Sequence, residues 1–220
     1  MMRNKRAAKE SSNGGGRVRH PERTRERILD AATAEFSARG LGGARVDSIA
    51  LAAGVNKRML YHYFGNKEDL FLAVLERAYE KIRGQENALS LENLAPVEAM
   101  KRLVRFTFRY FVDNQYFVAL LNSENLHRAR HIRRSGRVTS INSPLIGILG
   151  RILRRGRAAG VFRAGVDPLQ LYISIAGVAY FYFSNIHTLS TIFARDLNAP
   201  TSLAQRERHV VDVILGYLRR

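Results

Sequence analysis

The sequence predicts an all-α protein: an N-terminal three-helix helix-turn-helix domain followed by a C-terminal helical domain. Three observations carry that expectation. Residues 45–70, RVDSIALAAGVNKRMLYHYFGNKEDL, divide into two short helices around a tight turn and the start of a further helix. Elsewhere apolar residues recur at helical spacing, as Ile28, Ala32 and Phe36 do at i, i+4 and i+8. Helix-start devices recur as well: Asn56 before Lys57, Ser143 before Pro144, and Asp167 before Pro168.

Composition bounds the function. In 220 residues, 46% are hydrophobic, which suffices for a sizeable core. Cysteine is absent, which excludes a disulfide framework and a thiolate metal site. The 36 Lys and Arg against 19 Asp and Glu leave a net charge of +17, which draws the chain to polyanions, nucleic acid first and anionic membrane second. The N-terminus carries no apolar signal segment, so a cytoplasmic location is expected.

In chain order, residues 1–20 read as a disordered basic tail. Arg3, Lys5, Arg6, Lys9, Arg17 and Arg19 face only Glu10, and SSNGGG cannot hold a helix. The tail is either a basic arm tracking phosphates or a minor groove, or a solubilising extension. Helix one covers 21–38, with Pro21 in its first turn, Ile28, Leu29, Ala32 and Phe36 inward, and Arg23, Arg25 and Arg27 outward. Gly40, Gly42 and Gly43 form the loop to helix two.

Ile49, Ala50 and Ala53 give helix two a small apolar face. Gly54 permits a positive φ in the turn, and Val55 and Leu60 fill the angle between helices. Asn56 caps helix three, and Lys57 and Arg58 follow it. Cations are disfavoured at the positive end of a helix, so two of them there fit neutralisation by phosphates or guanine edges. Tyr61, His62 and Tyr63 add polar tips. The alternative is a solvated charged face with Tyr61 in the core.

Helix four starts near Asn66, with Glu68 and Asp69 in its first turn and Leu70, Val74, Arg77 and Lys81 in register. It closes within the more polar 84–94. Pro96 opens a helix over 96–113 bearing two apolar rows, Leu103, Phe106, Tyr110 and Val104, Phe108, Phe111. A shorter helix covers 115–126, and HRARHIRRSGR at 127–137 is expected to be exposed. Helices then run from Ser143–Pro144 to Gly160, over 168–194, and over 202–218. The domains expected are therefore the tail at 1–20, the helix-turn-helix domain at 21–66 and the helical domain at 67–220.

AAGVNKRMLYHYFGNKEDLF, preceded by RILDAATAEFSARG, resembles the DNA-binding domain of TetR-family transcriptional regulators over residues 23–75 without a gap. Ala31, Ala32, Phe36, Gly40, Ile49, Ala50, Ala53, Gly54, Val55, Leu60, Tyr61, Phe64, Lys67, Leu70 and Leu72 carry the match. The resemblance implies that Arg45, Val46 and Asp47 of helix two face an operator. It implies the same for Lys57, Arg58, Met59, Tyr61, His62 and Tyr63 of helix three, while Lys67 grips a phosphate. Val46 stands where the family often has a phosphate-bonding Thr, and Arg58 where a small residue is usual. The resemblance also implies that helix four links the DNA-binding domain to the rest.

Residues 169–194 contain no Lys, Arg, Asp or Glu, so a membrane span has to be weighed. Only 171–183 is nearly continuous, which is short of the about 20 residues needed. A buried helix is expected instead. With Val210, Val211, Val213, Ile214, Leu215 and Leu218, it resembles the pair of last helices through which TetR-type regulators form homodimers. A twofold dimer places two recognition helices roughly 34–36 Å apart on a palindromic operator in double-stranded DNA. The C-terminal region, from VEAMKRLVRFTFRYFV to NIHTLS, is also similar to a family subgroup that includes a regulator of pyrimidine catabolism.

In such proteins the second domain is a ligand-binding and dimerisation domain for a small-molecule effector, unidentified here. Phe106, Tyr110, Glu124, Asn125, Tyr172 and Tyr180 are the ligand-binding candidates, aromatic or polar residues in apolar context. Aromatic rows at this spacing also build cores, and Tyr180 equally suits the dimer. Glu124 stands out, since a buried acid needs a partner.

No catalytic residues are expected. His127 and His131 sit four apart, but Arg128, Arg130, Arg133 and Arg134 surround them and no acid completes a metal set. No phosphate loop and no Ser/His/Asp arrangement stands out, so neither cofactor nor metal nor enzymatic activity is expected. The reading is a homodimeric, effector-responsive repressor. The alternative is a basic helical nucleic-acid- or membrane-associated protein without operator specificity.

Overall fold

The structure is a computed structural model that describes residues 21–219; the tail expected at 1–20 lies outside the described residues. Ten α-helices follow in order: α1 Pro21–Gly43, α2 Val46–Ala52, α3 Lys57–Phe64, α4 Lys67–Asn87, α5 Pro96–Asp113, α6 Gln115–Leu126, α7 Gly136–Ala158, α8 Pro168–Ser184, α9 Ile186–Ile192 and α10 Pro200–Leu218. The described residues hold no strand.

Helix α1 buries Ile28, Leu29, Ala32 and Phe36 against α4 and α6. It does not end at Ala38. Gly40 takes φ 64° and ψ 175°, a kink, and a further turn carries Leu41 into the core. The Leu41 amide donates to Ser123 Oγ of α6 at 3.1 Å. Gly54 holds φ 62° in the turn between α2 and α3, where the Val55 amide returns to the Ala50 carbonyl at 3.0 Å. Asn56 Oδ1 accepts from Met59 N at 2.7 Å, which makes the expected cap, and Asn66 Oδ1 accepts from Asp69 N at 2.9 Å at the expected start of helix four.

Helix α4 is the spine. Its first half packs on α1, where Phe36 and Phe71 meet edge to face at 5.0 Å, and α7 packs along it. Arg77 bonds back across to Asp30 and Thr33 of α1, each at 2.8 Å. Helices α5, α6, α7, α8 and α10 surround the C-terminal core.

Three expectations are corrected. Helix α7 does not begin at Ser143–Pro144. Ser135 caps it eight residues earlier than Ser143, and Pro144 lies inside. Val138 shares a buried face with Leu145, Leu149 and Ile152, and that burial outweighs the one hydrogen bond an exposed proline removes. The helix expected over 168–194 breaks at Asn185, with a 65° bend. Asn185 Nδ2 donates to the Phe181 carbonyl at 2.9 Å, as the main chain does at 3.2 Å, so the side chain competes for the ladder. No single helix among the described residues is long and apolar enough to cross a membrane; only the bent α8–α9 pair reaches that composition.

The segment 127–135 is not wholly exposed. His131 is 1% exposed and Glu124 2%. The Glu124 carboxylate accepts from His131 N at 2.8 Å and Ile132 N at 2.9 Å, and lies 2.6 Å from His131 Nδ1. The outer side of this segment is basic as expected, and pairs with α4: Arg130 with Glu68 at 3.2 Å, Arg134 with Asp69 at 2.5 Å. Removing the carboxylate strands the buried main-chain amide and ring nitrogen of His131 and the half-buried Ile132 amide. Glu124→Ala should therefore lose roughly 3–5 kcal/mol of unfolding free energy in urea titrations, and Glu124→Gln distinctly less.

Candidate nucleic-acid interface

The outward face of α3 is fixed by what its inward face buries. Leu60 and Phe64 lie in the core, so Lys57, Arg58, Tyr61 and His62 stand outward and exposed. Met59 and Tyr63 are half-buried, Tyr63 against the core and edge-on to the His62 ring at 5.8 Å. The Asn56 cap fixes the start of α3, and the outward cations begin there.

On α2, Arg45 and Asp47 are exposed, and Arg45 N donates to Glu35 at 2.9 Å. Val46 departs from the expectation. It is 9% exposed and belongs to the core, so its side chain does not face outward. Lys57 is also not a free cation: Nζ lies 3.0 Å from Asp47 Oδ1, and that hydrogen bond raises its pKa. An exposed pair of this kind is screened by solvent and weak enough for a phosphate to displace. Lys67, at the start of α4, is half-buried, with Nζ 3.4 Å from the Gly42 carbonyl. Arg58 is thus the exposed α3 cation that none of the ion pairs among the described residues engages.

The six ligand-binding candidates do not line one cavity, although Phe106 and Tyr110 are neighbours, with rings 5.9 Å apart. Phe106 and Tyr110 line an open cleft of about 590 Å³ between α4 and α5, beside Arg102, Arg105 and Arg109. Glu124 has its acceptors occupied by His131 and Ile132 and serves the fold. Asn125 is exposed and donates to the Leu121 carbonyl at 2.9 Å. Tyr180 donates to Asn122. Tyr172 is the exception, because its hydroxyl accepts from Arg83 Nη2 at 3.0 Å.

Arg83 and Glu86 of α4 were not anticipated. They are 6% and 4% exposed and pair with each other. Glu86 falls in the stretch read from sequence as the polar close of the helix, and Arg83 lies just before it. The signal was available: the stripe Phe71, Leu75, Ala78, Ile82 continues at the same spacing through Glu86. Burial pushes the Glu86 carboxyl up to about 7, against the partial opposition of the Arg83 charge. Burial likewise pushes the Tyr79 hydroxyl up to about 12.

Residues 28–74 match the family described as bacterial regulatory proteins, tetR family, and residues 96–214 the tetracyclin repressor-like C-terminal domain. The HTH-type transcriptional repressor NicS of Pseudomonas putida is 39% identical over 206 residues, spanning 94% of this chain and 97% of that one. The HTH-type transcriptional regulator RutR of Escherichia coli is 37% identical over 91 residues, 41% of this chain and 42% of its own. In structure, AibR in complex with isovaleryl coenzyme A and operator DNA superimposes with a TM-score of 0.65 at 18% identity, over 86% of this chain and 97% of that one. The chain belongs to the TetR family of bacterial regulatory proteins.

Two outcomes follow from this geometry. Arg58→Ala should relax base preference at one operator position by about 1–3 kcal/mol, whereas Lys67→Ala should weaken all sequences alike and lower the salt slope by about 0.9; anisotropy titrations over a salt series distinguish them. Glu86 keeps its proton when folded where the unfolded carboxyl has released it. Stability should therefore fall as pH rises from 4.5 towards about 7, and Glu86→Gln should flatten that slope in urea melts at stepped pH.

Proposed function

We propose that the chain is a homodimeric transcriptional repressor that grips a palindromic operator through α2 and α3 and releases it when a small molecule binds within residues 67–220. Residues 21–66 then form the DNA-reading unit. The observation that carries the reading is the outward face of α3: a capped recognition helix presenting Arg58, Tyr61 and His62, held at a fixed angle by Gly54 and Leu60.

Exposed apolar residues support the dimer. On α8, Leu169, Ile173, Gly177 and Phe181 follow one another at intervals of four, and the three side chains are 49%, 52% and 58% exposed. Val213 and Tyr217 repeat the spacing on α10. Opposite faces of both helices fill the core, so this second stripe stands exposed among the described residues, with only Tyr217 covered by the Arg163 guanidinium at 3.9 Å, and it fits a twofold copy. The operator-bound AibR complex, with its coenzyme A ester, supports effector-linked DNA binding on this architecture. Coupling requires that the effector bind the released state more tightly than the operator-bound one. Such a protein acts in the cytoplasm, where the operator is.

Footprinting of the intergenic DNA beside its gene would supply the operator for competition binding. The wild type should hold that duplex against about a thousandfold excess of random DNA; loss at equal competitor would leave only a non-specific basic protein. Phe181→Glu should sediment as a monomer and lose the operator, while keeping the wild-type helical content.

A further inference from the structure

Arg83 is a buried cation of the sensor domain whose partners are incomplete. Nη2 donates to the Tyr172 hydroxyl at 3.0 Å, and Nη1 meets Glu86. Nε is shielded from solvent and has no hydrogen-bond partner. The Tyr172 ring lies 5.6 Å from the guanidinium carbon. One turn back on α4, Tyr79 meets Phe117 edge-on at 5.5 Å, and Phe117 meets Tyr110 at 5.6 Å. The charge therefore sits beside a nest of aromatic rings.

A buried guanidinium requires a full negative charge close by. Glu86 supplies it incompletely, since burial pushes its carboxyl up to about 7 and so disfavours the charged form. We infer that Arg83 anchors the carboxylate of a small planar effector, with Tyr172 and Tyr79 as flanking walls and Glu86 as the counter-ion that the ligand displaces. This rests on the reading that the chain releases its operator to a small molecule bound within residues 67–220.

The chemistry selects the class. A guanidinium offers two parallel N–H donors that match a carboxylate, and the partnerless Nε is one edge of that fork. A phosphate dianion would bring more charge than this single cation offsets. Aromatic faces favour a flat body over a branched one. The ligand would also act on the right element. Arg83 and Glu86 lie about 24 and 28 Å along α4 from Lys67, where that helix meets the DNA-reading unit, so breaking their pair frees the far end of the same helix.

The test uses the full-length protein, its operator duplex and three acid–amide pairs: benzoate and benzamide, phenylacetate and phenylacetamide, cinnamate and cinnamamide. Calorimetry should show at least one acid binding tenfold or more tightly than its amide, and anisotropy should show that acid releasing the operator. Arg83→Gln should bring the acid down to the affinity of its amide; because it also breaks the pair with Glu86, its operator binding without acid should be weakened and should no longer respond to acid. Arg83→Lys, which keeps the charge and loses the fork, should fall between, and it decides the matter should the Gln variant melt at assay temperature. Acids that bind no tighter than their amides, or an unchanged ratio in both Arg83 variants, would overturn the inference. Loss of operator binding by the ligand-free wild type would instead refute the repressor reading itself.

Discussion

Glu124 lies 2% exposed near the end of α6, and its carboxylate gathers two main-chain amides and an imidazole from the residues that follow. A carboxylate in the interior without such donors would cost several kcal/mol, so the turn after α6 has little choice of path. That path lays 127–135 along α4. His131 then packs edge-on against Phe71 at 5.2 Å, and Phe71 against Phe36 of α1 at 5.0 Å. The DNA-reading unit and the sensor domain therefore share one continuous apolar core. The surface ion pairs of Arg130 and Arg134 with the first turn of α4 add orientation more than energy, being largely solvated.

This shared core bears on how charge is used. A net charge of +17 alone would bind any polyanion. Selectivity needs cations held in one geometry, and the structure holds few that way. Lys57 is braced by Asp47 across the α2–α3 angle, and Arg58 projects beside it from a capped helix with a buried opposite face. Many of the other arginines instead pair with acids, as Arg77 does with Glu26 and Asp30 and Arg109 with Glu207. Positioning, and not the amount of charge, separates a regulator from a generic basic protein.

Much of this was legible in the residues. The spans of α5 and α6, the Asn56 cap, the start of α4 at Asn66 and the Gly54 turn follow from local rules that tertiary packing does not oppose. Where packing did oppose them, packing prevailed. Ser143–Pro144 is a good local helix start, yet Val138 had apolar surface to bury upstream. The apolar run through α8 gave no sign that Asn185 would take the Phe181 carbonyl. Val46, expected on the outer face from its place in the motif, is apolar and lies in the core. The interior cluster was the hardest to see, because Arg83 and Glu86 are residue types normally found in solvent. Only their phase on the α4 stripe marks them as buried.

That phase also bears on how α4 works. Near its start the helix is gripped from three sides: by α1 through Phe71, by the segment after α6 through Glu68 and Asp69, and by α3 through the short link at Gly65 and Asn66. Near its far end it is held by apolar contacts of Ile82 and by a buried ion pair. Apolar packing tolerates small sliding, whereas a buried ion pair has two discrete states, closed or broken, of unequal cost. A helix clamped at one end and latched by such a pair at the other transmits a broken latch as a rigid tilt, because close-packed neighbours leave no soft place to absorb it. The small difference in pose this gives α3 is doubled by a twofold axis, and a duplex with fixed groove spacing accepts only one of the two separations.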